Sequence, residues 1–120
     1  MRGKLFLIHW NPPLAEQMAR DLRAAEWRVD FESEDSTRAV RRIREQSPNA
    51  IVISLARSPS HGVETAQALR AMRVAGVPIV FVDGKADTIK EAKARVPMAI
   101  FATSGDLSDI LATYAKFGWG

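Results

Sequence analysis

The chain has 120 residues, 47% of them hydrophobic and 26% charged, enough for one compact domain with a real core and too few for two. It contains no cysteine, which excludes a disulfide framework, a cysteine nucleophile and any thiolate metal site, and accords with a cytoplasmic residence. Seventeen Lys and Arg against 14 Asp and Glu leave a formal charge of +3, an excess too small to name an acidic partner.

The start, "MRGKLFLIHWNPP", holds too short an apolar stretch for a signal peptide, and no run reaches the roughly 18 to 20 apolar residues of a membrane span. Residues 1–120 are therefore expected to form a single mature cytoplasmic domain without membrane contact. The first apolar run, "LFLIHW" (5–10), predicts a strand. Asn11 then offers a helix N-cap, with Pro12 and Pro13 in a first turn that has no use for their missing N–H groups. Leu14, Met18, Leu22 and Ala25 follow at helical spacing and predict a core-facing stripe.

"RVDFES" (28–33) alternates polar and apolar residues and predicts an edge strand, followed by a helix through Val40 and Ile43. "AIVISLA" (50–56) is continuously apolar, as a strand buried on both faces should be. Val63, Ala66, Leu69 and Met72 predict the third helix, with Gly76 as its stop before Val77 and Pro78. "VPIVFVD" (77–83), a helix through Ile89, Ala92 and Val96, and "MAIFATS" (98–104) come next. Ser104, Asp106 and Ser108 offer caps for a last helix carrying Leu107, Ile110, Leu111 and Tyr114.

Five βα units in strict alternation predict a parallel sheet with helices on both faces, because each right-handed crossover must bury its apolar stripe. With the first, third and fourth strands central and the second at an edge, the order is 2-1-3-4-5. This is the flavodoxin-like (βα)5 doubly wound, three-layer α/β/α arrangement. Ligands in such sheets bind beyond the carboxyl ends of the strands at the switch point. The residues that fall there are His9, Trp10 and Asn11, then Ser54, then Asp83 to Lys85, then Ala102 to Ser104.

His9, Ser54 and Asp83 end neighbouring strands and invite reading as base, nucleophile and orienter. Around Ser54 ("VISLA") there is no G-x-S-x-G elbow and no oxyanion loop, so small polar groups capping strand ends are the simpler account. A small-ligand-binding or hydrolytic domain built on these residues is the alternative retained. Trp10 either stacks on a ligand or covers the site by packing. "HWNPPLAE" lacks the Ser, Thr and Gly donors of a phosphate loop, which argues against flavin. The basic stretch "STRAVRRIREQ", with Arg70 and Arg73 beyond it, reads as a solvated face and not a nucleic-acid site, since Glu34, Asp35 and Glu45 flank it and no aromatics interleave.

The segments "KLFLIHWNPPLAEQMARDLRAAEWRVD" and "SPNAIVISLARSPSHGVETAQALR" carry a resemblance over roughly residues 4–117. The second has a proline before the strand, Pro59 in the loop and Gly62 at the next helix. The chain resembles the bacterial response regulator receiver (CheY-like) domain family of two-component signal transduction. A competent receiver has a phosphoaccepting aspartate after its third strand, an acidic pair after the first to hold Mg²⁺, a Thr or Ser after the fourth and a lysine after the fifth. Carried over, these positions fall on Ser54, on His9 and Trp10, on Asp83 and on Thr103, and each departs from the pattern. The resemblance thus implies a degenerate pseudo-receiver: no enzyme, no cofactor, no metal and no Mg²⁺-dependent phosphorylation.

In that family the face of the fourth helix, fifth strand and fifth helix commonly binds proteins, which points to Ile89, Lys93, Phe101, Tyr114 and Trp119 as an interaction surface for a partner or a second copy. Packing of Tyr114 and Phe117 on the sheet is the simpler alternative, whereas Trp119, between two terminal glycines, is expected to be exposed. The function expected is a phosphorylation-independent signalling and protein-interaction module without an output domain. His9, with an unperturbed pKa of about 6.5, adds the option of a pH switch.

Overall fold

In the computed structural model, which describes residues 3–72 and 76–119, the apolar runs become strands and the amphipathic segments helices. In chain order they are β1 (Lys4–Ile8), α1 (Pro12–Ala24), β2 (Arg28–Glu32), α2 (Ser36–Gln46), β3 (Ala50–Ser54), α3 (Pro59–Ala71), β4 (Ile79–Val82), α4 (Ala86–Arg95), β5 (Ile100–Ala102) and α5 (Leu107–Lys116). The strands form one parallel sheet in the order β2-β1-β3-β4-β5. Its register sets Ile8 beside Glu32 and Ile53, and Ser54 beside Val82.

Period-two alternation sorts the side chains into two cores. Phe6, Ile8, Ile51, Ile53, Ile79 and Phe81 face one side, where Ile43 of α2, Leu69 of α3 and Ala92 of α4 close over them. Leu5, Leu7, Val52, Val80 and Val82 face the other, under Leu22 of α1 and Leu111 of α5. Each large apolar side chain removed from water contributes about 1.5–3 kcal/mol, and β1, β3 and β4 are buried on both faces. That double burial is why these strands read as continuous apolar runs.

Asn11 caps α1 through Oδ1, which accepts from the Leu14 N–H at 3.2 Å. Asp35 caps α2 by accepting from the Thr37 and Arg38 N–H groups at 2.9 and 3.1 Å. Several expectations need correction. The buried stripe of α1 is Ala15, Ala19 and Leu22, whereas Leu14 is 51% exposed; small alanines let the helix lie close to the sheet and swing Leu14 off it. Helix α3 stops at Ala71 with Met72 as its C-cap, ahead of Gly76, and Arg73 lies outside the described residues. Asp106 occupies the N-cap of α5 without a side-chain capping bond. Among the described residues no helix is long and apolar enough to cross a membrane.

Candidate functional site

The carboxyl ends of β1, β3, β4 and β5 gather the residues singled out in the sequence, but each is tied locally. His9 follows β1 and is 2% exposed. Its backbone N–H donates to the Glu32 carbonyl at 3.2 Å, and its Nδ1 accepts from the Asn11 N–H at 3.3 Å. A neutral ring with an accepting Nδ1 carries its proton on Nε2. Burial holds the His9 pKa below the ordinary 6.5, against the upward pull of the Asp83 carboxylate.

Ser54 ends β3 completely buried, and its Oγ accepts from the Ala56 N–H at 3.2 Å. Asp83 follows β4 with a left-handed φ of 61°. Its N–H donates to the Ala102 carbonyl at 2.9 Å, while its carboxylate accepts from the Ser104 N–H at 2.8 Å and from the Ser104 hydroxyl. Gly84 continues the turn at φ +105°, where a Cβ would stand 2.8 Å from Leu55 Cβ, so this position requires glycine.

Thr103 turns away from this group. Its N–H donates to Asp106 Oδ1 at 2.6 Å and its hydroxyl lies 3.0 Å from the same oxygen. Trp10 is half-buried against the α2/α3/α4 core and meets His61 edge-on at 4.6 Å. Consecutive residues of an extended chain point to opposite faces. His9 accordingly lines a cavity between α1 and α5, whereas Trp10 packs on the side of α3.

The structure therefore brings His9 and Asp83 to one cavity and leaves Ser54, Trp10 and Thr103 outside its lining. No hydrogen bond joins Ser54, His9 and Asp83 among the described residues, so a nucleophile–base–orienter chain is not assembled. Ser104, the residue that holds Asp83, was legible as a strand-end residue and a possible helix cap, but not as the partner of Asp83. The chemistry of the donors also fails a divalent cation such as Mg²⁺, which prefers oxygen ligands and usually one or two carboxylates. This edge offers an imidazole, an indole, a hydroxyl bound to Ala56 and one carboxylate already bound to Ser104. Among the described residues no group of three His, Cys, Asp or Glu could hold a metal ion.

At the other corner, β2 and α2 are laced by charge. Arg38 donates to both oxygens of the buried Glu32, at 2.7 and 2.9 Å, and Glu32 also accepts from the Glu34 and Asp35 N–H groups at 3.0 and 3.1 Å. The Arg38 hydrogen bonds foremost bring the Glu32 pKa down to about 2 from 4.5, outweighing burial. Asp30 pairs with Arg42 and accepts from Gln46 Nε2 at 2.6 Å. Burial pushes its pKa up, but these bonds, the Phe31 N–H and the Arg42 charge outweigh it and leave it below 3.8. The basic helix is thus partly consumed by its own neighbouring strand.

On the face of α4, β5 and α5, Phe101 packs on Phe81 at 5.4 Å and lies under the Lys93 ammonium, also at 5.4 Å. Ile89 and Tyr114 are half-buried, and Lys93 is exposed. Trp119 is a correction: it packs edge-on against Trp27 at 5.6 Å within the α1/α5 core, near Gly3 at the opposite end of the sheet. The terminal aromatic left in water is Phe117, 70% exposed, so the packing of Phe117 on the sheet is also not observed.

A five-stranded parallel sheet in this order, with its irregular segments gathered at the strand carboxyl ends, defines a doubly wound α/β protein of the flavodoxin-like class. The chain matches no protein-family model and no curated protein. It is similar in structure to a candidate response regulator from Chloroflexus aurantiacus, with a TM-score of 0.75 at 17% identity over 96% of this chain and 95% of that one. A two-component response regulator of the LuxR family from Aurantimonas gives 0.73 at 18%, over 96% and 83%. The signal receiver domain of a histidine kinase from Syntrophus aciditrophicus gives 0.73 at 15%, over 96% and 88%. At such identities the likeness is one of fold, and the fold is that of receiver domains.

Proposed function

We propose that this chain, over residues 1–120, is a receiver-like signalling module that acts through protein contacts and not through phosphorylation of an aspartate, and that it is not an enzyme. The observation that carries the reading is the end of β3. There a fully buried Ser54 spends its Oγ on the Ala56 N–H, with no acidic pair beside it. A serine forms a phosphate ester and not the labile acyl phosphate of the family, and the donors around it suit no Mg²⁺. Two-component signalling in a bacterial cytoplasm is the setting this reading implies.

The contact surface proposed is the face of Ile89, Lys93, Phe101 and Tyr114, without Trp119. A ring half-exposed beneath a lysine supplies an aromatic anchor with a cationic rim, a composition suited to a protein partner or a second copy. The deciding experiment is an amide NMR titration of the full chain with Mg²⁺ and beryllofluoride. Stationary signals at His9, Trp10, Ser54, Asp83 and Thr103 are expected, and saturable shifts there would overturn the reading. A companion variant, Ser54→Asp, is expected to take no phosphoryl group from acetyl phosphate, because His9 and Trp10 still deny the metal its acids; rapid labelling would count against it.

A further inference from the structure

The cavity that His9 and Asp83 share lies between α1 and α5 and has a volume of about 270 Å³. At the ~30 Å³ that a water takes in the liquid, this holds roughly nine waters, the room of one small metabolite. Leu14, Met18 and Leu107 supply an apolar wall, and the charged groups in the lining are the carboxylates of Asp21 and Asp83, with no Lys or Arg. An anion is repelled by such a lining, whereas a cation is attracted to it.

Carboxylates alone would not make a site, but the His9 ring provides an independent sign. It is 2% exposed, it lines the cavity, and its Nδ1 is occupied by the Asn11 N–H. Its Nε2–H makes no hydrogen bond to protein among the described residues, which leaves that donor free for an acceptor in the cavity it lines. Asp83 has capacity to spare: a carboxylate has about four lone-pair sites, and Ser104 engages the group through its N–H and hydroxyl. Leu14 adds an apolar side chain, 51% exposed, at the rim of the cavity where the core makes no use of it.

We propose that this cavity binds a compact organic cation. Asp83 holds a protonated amine, the His9 Nε2–H donates to an acceptor next to that amine, and an apolar body rests on Leu14, Met18 and Leu107. Amino-acid amides and short amino alcohols with a branched aliphatic side chain have this chemistry. The cavity borders α5, but none of its lining residues is Ile89, Lys93, Phe101 or Tyr114 of the proposed partner face, so occupancy and partner contact are independently measurable.

The test is an amide NMR titration of the full chain near neutral pH with leucinamide, isoamylamine and N-acetylleucinamide. Leucinamide is expected to shift Leu14, Asp83, Ser104 and Ser108 saturably with a Kd of about 1 mM, a reasonable affinity for so small a ligand. Isoamylamine, which lacks the acceptor, should bind a few-fold more weakly. Neutral N-acetylleucinamide should bind about tenfold more weakly for loss of the charge-assisted bond. Asp83→Asn keeps an acceptor for the Ser104 N–H and suits the left-handed backbone, so it should fold while losing about tenfold in leucinamide affinity. No saturable shift with either amine, an equal response to N-acetylleucinamide, or undiminished binding by the folded Asp83→Asn variant would each overturn the proposal.

Discussion

Two corners of one sheet solve the same problem differently. At the β2 corner, Glu32 and Asp30 are neutralised by Arg38 and Arg42 from the helix that follows. At the β4 corner, Asp83 is held by the amide and hydroxyl of Ser104 and shares its cavity with the neutral ring of His9 and the Asp21 carboxylate, on a turn whose path depends on the left-handed Asp83 and Gly84. Charge fastens the first corner, while backbone geometry fastens the second and leaves its carboxylate open to something else.

The sharpest way to break that contrast is at Gly84. Gly84→Ala is expected to cost about 3 kcal/mol, from a strained φ together with overpacking of the added methyl, since its Cβ would meet Leu55 Cβ at 2.8 Å. Chemical denaturation measures this, and an unchanged midpoint would mean that the turn relaxes freely. Next comes Glu32→Gln, expected to cost about 1.5 kcal/mol for the charge-assisted bonds to Arg38. The same measurement on Asp83→Asn should show a change within about 0.5 kcal/mol. Equal costs for the two would erase the distinction between the corners.

Acid sharpens it further. The Glu32 pKa is depressed in the folded state to about 2 from 4.5, so its contribution is complete above pH 4.5 and is lost as pH falls toward 2. Glu32→Gln should therefore flatten the stability profile across that window, as followed by denaturation at stepped pH. The smallest effect expected is at His9. Its folded pKa is lowered from 6.5, so the unfolded chain takes up the proton first and stability declines as pH falls below 6.5. His9→Gln should remove that gentle slope, and a slope that persists would assign it to another group.

The order of elements was legible because each leaves a periodic trace. Strands β1, β3 and β4 are buried on both sides and read as unbroken apolar runs, while β2 alternates because one of its faces meets the arginines of α2 and the other the apolar core. The strand ends were read too long, since residues such as Trp10, Leu55 and Thr103 are apolar or β-branched yet lie past the last ladder pair. Leu14 was misread because spacing alone does not reveal that Ala15 and Ala19, with Leu22, press against the sheet while Leu14 points away from it. Of the candidate site, the positions of His9, Ser54 and Asp83 at strand ends followed from topology. Their partners did not: that Asp83 is held by Ser104, that Thr103 is held by Asp106, and that Trp119 folds back on Trp27 are consequences of loop paths that no periodicity encodes.

The edges of the sheet carry one more consequence. The outermost strands are β5, only three residues long, and β2, which bears Arg28, Asp30 and Glu32 along its length. A brief strand and a charged one are poor templates for another backbone to extend. Copies of this protein crowded together are thus steered toward meeting side chain to side chain across their helices, and away from the endless ladder by which exposed sheets grow into fibres.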